Sequence, residues 1–206
     1  MLLAGHVPGR EHRSPSRRAR NERYGRVAGR RPTPGAESQP MIVLGIDPGL
    51  ANTGYGVVQS AAGRLVALDG GVIETAAGLP VAQRLADIHA AIDELLSEHE
   101  PQAMALEELY FGQNVKTAFA VGHGRGAAML AAGQRGIECA SYTPQQVKAA
   151  VCGNGRADKQ QVARMVQALL ALPQPPTPDH ASDALAVAMC HANRAPLSAA
   201  LAGVAV

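Results

Sequence analysis

Aromatic residues and cysteines are scarce in this sequence of 206 residues. It has no tryptophan, aromatic side chains make up 3% of the residues, and there are three cysteines, Cys139, Cys152 and Cys190. The cysteines show no CxxC or other zinc spacing, and an odd number of scattered thiols is typical of proteins kept reduced in the cytosol. We therefore expect an aliphatic core, cysteines that only pack, and a cytoplasmic location.

Long hydrophobic runs are missing as well. No stretch approaches the roughly 18 apolar residues that a membrane-spanning helix needs. The first residues lack the apolar segment that follows basic residues in a secretory signal, so we expect none. Hydrophobic residues nevertheless make up 47% of the chain, which is enough for a core. The length predicts one domain with extensions.

Charge is distributed unevenly. Residues 1–40 contain nine Arg and three Glu, a net charge of +6, whereas residues 41–206 contain ten Lys and Arg and fourteen Asp and Glu, a net charge of −4. The first segment also lacks any periodic apolar pattern, so we predict a disordered basic N-terminal extension over 1–40. A folded domain over 41–194 and a C-terminal tail over 195–206 complete the prediction. Nucleic-acid binding by this acidic domain would need local basic patches.

The hydrophobic pattern from Met41 onward predicts an α/β domain. Three strand patterns joined by Gly-rich turns indicate consecutive antiparallel strands, and helical spacing then alternates with short apolar runs. The predicted strands are 41–47, 54–60, 64–74, 103–111 (running into a loop) and 137–142, and the predicted helices are 80–99, 114–132, 144–151, 158–172 and 178–193. This order is that of the ribonuclease H-like fold, a five-stranded mixed sheet flanked by helices.

Acidic residues stand where two of these strands end. Asp47 ends the first strand, just before Pro48-Gly49, and Glu107-Glu108 end the fourth. In such a sheet these two strands can be neighbours, so their ends can converge. Successive strand residues face opposite sides, so one of the two glutamates can share a face with Asp47. We expect the Pro48-Gly49 turn to leave room for ions and a phosphate at the backbone.

The last predicted helix carries a further acidic group in "TPDHASDALAVAMC". Thr177 and Pro178 suit the N-cap and the first helical position. His180 and Asp183 are three residues apart and so share a face, whereas Asp179 points roughly 100° away from His180. The rest of the helix is apolar, so it should pack on the sheet and hold His180 and Asp183 against protein.

Carboxylates gathered in this way would repel one another and raise each other's pKa. A divalent cation compensates for that repulsion, and oxygen-rich sites suit Mg²⁺ or Mn²⁺. Two such ions can stabilise the attacking and leaving oxygens in phosphodiester hydrolysis. Taken singly, these residues are explained as a turn residue, a solvated strand edge and a helix-dipole partner. Their joint occurrence in this strand order indicates a nuclease.

Five stretches resemble the RuvC crossover-junction endonuclease family, in order and at the family's spacing. They are "LGIDPGLANTGYGVV", "ALEELYFGQN", "GHGRGAAMLAA", "YTPQQVKAAVCGNGRADKQQVARMV" and "DHASDALAVAMCH", and the resemblance covers 41–194. It implies a homodimer that resolves four-way (Holliday) DNA junctions by paired metal-dependent nicks, leaving 5′-phosphate and 3′-hydroxyl ends. It also implies the RuvA–RuvB branch-migration complex as a partner.

Carried over by position, the resemblance implies four catalytic and metal-binding residues: Asp47, Glu107 (not Glu108), His180 and Asp183. Many members of the family have Asp-x-x-Asp on the last helix, and some have His at the first of those positions, as here. We favour His180 over Asp179 as the ligand because His180 shares a face with Asp183.

The resemblance also implies DNA-binding residues. Lys148 and Lys159 match family lysines near the active site, and the domain from 41 onward has only three lysines. Lysine is a suitable phosphate binder, although such contacts do not read sequence. Tyr110, beside Phe111, is the candidate for stacking on an unpaired base, and Arg125 is a further candidate. The small residues of "GHGRG" favour a close helix contact, which could form the dimer interface.

Two other functions compete with this interpretation. "DPGLANTG" is also similar to the first phosphate motif of actin-like ATPases, but those proteins duplicate the domain and are far longer. They also do not need Glu107, His180 and Asp183 together. A ribonuclease H-like nuclease acting on RNA is the second alternative. The lysine and aromatic positions favour the junction endonuclease.

Overall fold

Five strands form one mixed sheet in the computed structural model, which describes residues 40–108 and 115–202. The strands are β1 (Met41–Asp47), β2 (Asn52–Ala61), β3 (Arg64–Glu74), β4 (Ala103–Glu107) and β5 (Glu138–Tyr142). Their spatial order is β3-β2-β1-β4-β5. The first three strands pair antiparallel, and β4 and β5 continue the sheet parallel to β1. The predicted strand arrangement is therefore present.

Five helices cover the two faces of this sheet. They are α1 (Val81–His99), α2 (Val115–Gln134), α3 (Pro144–Cys152), α4 (Lys159–Leu169) and α5 (Asp179–Ala202). One aliphatic core lies between the sheet and the α3, α4 and α5 side, and a second lies under α1 and α2. None of the described helices has the length and apolar character needed to cross a bilayer.

Helix α5 lies unusually close to the sheet. A Cβ atom on Gly45 of β1 would collide with the carbonyl oxygen of Ala184, and one on Gly56 of β2 would lie 2.7 Å from the backbone nitrogen of Leu185. These glycines therefore let the backbone of the helix contact the backbone of the strands. Residues Ala184–Cys190 are all fully buried in consequence.

The loop after β1 is held by side chains from the neighbouring strands. The Thr53 hydroxyl donates to the Gly49 carbonyl at 2.6 Å, and the Thr75 hydroxyl donates to the Leu50 carbonyl at 2.6 Å. Arg84 in turn donates to the Thr75 hydroxyl at 2.8 Å. These hydrogen bonds fix the loop that directly follows Asp47.

Gly49 is packed closely on the side where a side chain would point, and the predicted approach of ions and phosphate to this turn stays a prediction. A Cβ atom there would collide with the carbonyl of Asn52 in the same loop. The Gly49 carbonyl in turn lies 2.5 Å from where a Cβ atom of Gly124 would be. The small residues of "GHGRG" thus allow α2 to approach this loop, a contact within the chain.

Helix ends are where the sequence prediction was wrong. The last helix begins at Asp179, after a cis peptide bond between Thr177 and Pro178, so Pro178 is not its first residue. It continues to Ala202 instead of ending near 193, because the strong helix formers in "LSAALA" follow Pro196. Helix α4 ends at Leu169 instead of 172.

Candidate active site

Asp47 and Glu107 lie side by side at the carboxyl ends of β1 and β4. These strands are parallel neighbours, with Ile46 paired to Leu106, so the next residue on each strand emerges at the same edge of the sheet. The Asp47 side chain is 15% exposed, and Glu107 is half-buried. Strand pairing therefore brings these two carboxyl groups together as the sequence predicted.

Glu107, and not Glu108, faces this site. Glu108 is exposed, and its backbone N–H donates to the Tyr142 carbonyl at 2.8 Å. Burial, followed by the nearby charges of Asp47 and Asp183, raises the pKa of Glu107 to about 7. A carboxyl group with such a pKa marks a place where negative charge is concentrated and a cation would be favoured.

Helix α5 supplies the other two predicted residues. The His180 ring nitrogen Nδ1 lies 2.7 Å from Asp47 Oδ2, so helix and strand are joined directly. Gly54 of β2 pairs with Asp47 of β1, and a Cβ atom on Gly54 would collide with the carbonyl of His180. The missing side chain at Gly54 is therefore what lets His180 reach the aspartate.

Asp183 is one turn further along α5 and points toward the same acidic group. Its side chain is 26% exposed, and Lys159 Nζ lies 3.3 Å from its Oδ2 atom. Burial raises the pKa of Asp183 even though Lys159 opposes that change. Burial also works against the charge of Lys159, but Asp183 and Asp179 outweigh it and raise the pKa of the ammonium group.

Asp179 lies outside this group. Its side chain is 76% exposed, and it contacts Lys159 Nζ at 3.2 Å. Spacing along the helix could not separate it from His180, because Asp179 is itself one turn before Asp183. Burial and partners separate them: His180 contacts Asp47 and Asp179 does not. The assignment of His180 as a ligand stays a prediction, and this geometry favours it.

A cleft of about 260 Å³ opens beside the acidic group. Both predicted DNA-binding lysines line it, together with Glu107 and Asp183. Lys148 comes from α3, whose first turn is closed by Thr143 in a capping box with Gln146. The two lysines that we selected from the sequence therefore share one cleft with two of the acids.

Arg125 makes two hydrogen bonds within the chain that the sequence did not predict. Its Nη1 donates to the Glu107 carbonyl at 2.9 Å, and its Nη2 donates to the Ser141 hydroxyl at 2.5 Å. The guanidinium thus ties α2 to the ends of β4 and β5. Its contact with DNA stays a prediction. Tyr110 lies outside the described residues.

The chemistry of the donor set fits divalent cations, since three carboxyl groups and an imidazole converge on one edge. Among the described residues, however, no three His, Cys, Asp or Glu side chains are already gathered as a metal-binding group. His180 is instead hydrogen-bonded to Asp47, and Lys159 is paired with Asp183. The backbone brings the ligands together, and their side chains would have to turn toward an ion.

Sequence reasoning missed Gly54 and the Glu107 carbonyl contact of Arg125. The spacing of Gly54 and Gly56 in "NTGYGVV" was a usable signal, because residues two apart on a strand face the same side. Two glycines on one face indicate that another backbone approaches there. No signal in the sequence pointed to the partner of Arg125.

Comparison with known proteins gives consistent results. A model of the family described as "Crossover junction endodeoxyribonuclease RuvC" matches residues 43–191. A protein of that name from Moorella thermoacetica is 54% identical over 156 residues, which cover 76% of this chain and 93% of the relative. Its namesake from Ruminiclostridium cellulolyticum is 50% identical over 153 residues, covering 74% and 92%.

Solved structures agree with this result. The structure described as "T. thermophilus RuvC in complex with Holliday junction substrate" has a TM-score of 0.74 at 40% identity, covering 77% of this chain and 96% of that one. The yeast mitochondrial Holliday junction resolvase Ydc2 has a TM-score of 0.57 at 14% identity, covering 77% and 81%, and at that identity shows the fold alone. The predicted ribonuclease H-like fold is confirmed.

Proposed function

This chain belongs to the RuvC family of crossover junction endodeoxyribonucleases, and on that basis we propose that it resolves four-way (Holliday) DNA junctions by metal-dependent phosphodiester hydrolysis. The observation that carries the proposal is the convergence of Asp47, Glu107, His180 and Asp183 beside a cleft lined by Lys148 and Lys159. We expect it to nick the junction at symmetric positions, as a step in homologous recombination and DNA repair. Neither the RNA nuclease nor the actin-like ATPase gains support from the comparisons.

The acidic group would hold Mg²⁺ or Mn²⁺, and we propose two ions in each site. When bound, such ions polarise the phosphate and stabilise the attacking and leaving oxygens. Asp47 and Glu107 are the natural first ligands, because both sit on rigid strand ends. Asp183 and His180 would complete the set from α5, with the imidazole as the softer ligand.

Lys148 and Lys159 would hold backbone phosphates of the junction in the cleft. The Lys159 side chain is 59% exposed, so its ammonium group can reach DNA. Arg125 would keep Glu107 in place from behind through the carbonyl contact at 2.9 Å. Tyr110 is proposed to stack on an unpaired base.

Symmetric cleavage requires two active sites, so we propose a homodimer. Helix α2 exposes several apolar side chains that support this: Phe119 is 66% exposed, Leu130 56% and Met129 42%. Exposed apolar groups of this kind are typical of interfaces. Cytoplasmic location and cooperation with RuvA–RuvB belong to the same proposal.

The direct test is cleavage of a synthetic mobile four-way junction with Mg²⁺ or Mn²⁺, and linear duplex of the same sequence is the control. We expect paired nicks at symmetric positions of the junction and little cutting of the duplex. Equal cutting of both substrates, or no cutting with either metal, would overturn the proposal. Cleavage of RNA in preference to the junction would favour the alternative nuclease.

A further inference from the structure

Lys159 is held by two carboxylates at nearly equal distances. Its Nζ atom lies 3.2 Å from Asp179 Oδ2 and 3.3 Å from Asp183 Oδ2. A lysine ammonium has three donors, so it can serve both oxygens at once. The two acids are four residues apart on α5 and so share a face of the helix.

The two acids differ in their surroundings. Asp183 is 26% exposed and lies against Glu107 in the acidic group, whereas Asp179 is 76% exposed and lies at the rim. Asp183 is thus a proposed ligand of a metal ion, whereas Asp179 is not. In this structure Lys159 is paired with Asp183, the carboxylate that the metal ion would need.

The backbone of Lys159 is fixed while its head group can move. Lys159 is the first residue of α4, directly after the N-cap Asp158, which forms a capping box with Gln161. The Asp158 carboxylate accepts from the Gln161 N–H at 2.8 Å, and the Gln161 side chain accepts from the Asp158 N–H at 3.0 Å. The ammonium group, on a 59% exposed side chain, can therefore change partners without any movement of the helix.

We propose that Lys159 is the resident counter-ion of Asp183 until a divalent cation replaces it, and that Asp179 is a positioning residue that keeps Lys159 at the rim after this exchange. The inference rests on the proposed metal-dependent function. It adds a sequence of events: the entering cation releases Lys159 from Asp183, and the released ammonium group, still beside Asp179, is available to a DNA phosphate. Metal and DNA would then favour each other's binding through one side chain.

The test is a titration of the full-length protein with Mn²⁺ alone, without DNA, with free Mn²⁺ measured by electron paramagnetic resonance. Lys159→Gln removes the competitor and should raise the affinity for Mn²⁺ by about fivefold. Lys148→Gln is the matched control, since it removes the same charge from the same cleft. An increase for Lys159→Gln that does not exceed that of Lys148→Gln would overturn the proposal.

Asp179 is tested by a double-mutant cycle in the same titration. Asp179→Asn leaves Lys159 entirely to Asp183, so it should lower the affinity for Mn²⁺ by about two- to threefold. In the Lys159→Gln background the same change should have no more effect than Glu108→Gln, a nearby acid outside the group. Equal effects in both backgrounds would show that Asp179 does not act through Lys159.

Two further measurements distinguish a misfolded variant, a wrong metal site and a wrong counter-ion exchange from one another. Thermal unfolding of each variant without metal identifies any that are misfolded. Absence of Mn²⁺ binding to the folded wild type would overturn the proposed metal site itself, whereas Mn²⁺ binding that is insensitive to Lys159 would overturn the counter-ion exchange alone.

Discussion

The two faces of the sheet are packed in different ways. On one face, α5 lies backbone to backbone against Gly45, Gly54 and Gly56, and this face carries His180 and Asp183. On the other face, large side chains such as Ile92 and Leu95 fill the space under α1 and α2. Direct backbone contact permits little adjustment, whereas side chains can repack. The backbone contact of α5 therefore suits the positioning of site residues, and the side-chain packing under α1 and α2 suits the stability of the fold.

The strongest test of this difference is removal of an acid from the glycine-packed side. Asp47→Asn keeps the volume but removes a charge from the metal site, so cleavage should fall by on the order of a hundredfold or more while junction binding persists. Glu107→Gln and Asp183→Asn should behave alike. Single-turnover nicking assays would measure this. Glu108→Gln is the matched control, and cleavage at the wild-type rate by Asp47→Asn would remove Asp47 from the site.

Gly54→Ala tests whether backbone contact positions the site. The added methyl group would collide with the His180 carbonyl, so α5 must shift away from Asp47. A shift of about 1 Å can cost on the order of a hundredfold in rate. We expect a loss of that size in the cleavage rate, together with a loss of about 1–3 kcal/mol in the free energy of unfolding. Nicking assays measure the first and urea unfolding measures the second. Gly78→Ala is the control, because a methyl group added at this glycine meets no neighbour. If Gly54→Ala cleaves normally, the close contact does not position His180.

Ile92→Ala makes the corresponding change on the side-chain-packed face. Ile92 is fully buried, so its truncation leaves a cavity and should cost about 2–5 kcal/mol of unfolding free energy. Cleavage per folded molecule should change little, because no proposed metal ligand lies on α1. Urea unfolding and active-site titration would separate the two effects. A large loss of rate in folded Ile92→Ala would contradict the division of roles between the faces.

Glu107 should make the wild type less stable as the pH rises. Its pKa is raised to about 7 from an ordinary 4.5, so the folded state holds this proton more tightly than the unfolded state does. The stability associated with the proton is present below pH 4.5 and is lost as the pH rises through 7. Glu107→Gln has no such proton and should gain up to about 3 kcal/mol relative to the wild type above pH 7. Metal-free unfolding at pH 5 and pH 8 would show this, and an equal difference at both values would contradict it.

The smallest expected effect concerns the choice of metal. His180 offers an imidazole where a carboxylate would suit Mg²⁺ better, so Mn²⁺ should support faster cleavage. His180→Asp should shift this preference toward Mg²⁺, and Asp179→Asn should leave it unchanged. The ratio of nicking rates in the two metals is the measurement. An inactive Asp179→Asn beside a normal His180→Ala would mean that the wrong residue was assigned.

Much of the molecule could be predicted from local patterns. Strand alternation and helical spacing gave the element order, and the antiparallel pairing of the first three strands followed because consecutive strands joined by tight turns pair in that way. The places of the fourth and fifth strands were expected from the ribonuclease H-like order. Asp47 and Glu107 could be placed together because parallel neighbours end at one edge. Helix ends were harder. The boundary at Pro178 was wrong by one residue, which is within the usual variation of helix ends, and the end near 193 was wrong because Pro196 does not stop the helix.

The sequence by itself determined which elements form and which acids could meet, because these depend on periodicity, turn chemistry and the pairing rules of a sheet. Only the tertiary structure decided how the side chains share partners. Lys159 lies between Asp179 and Asp183, His180 contacts Asp47, and Arg125 holds the Glu107 carbonyl. These contacts join residues far apart in the chain, and each depends on how closely α5 or α2 approaches its neighbours, which no local pattern encodes.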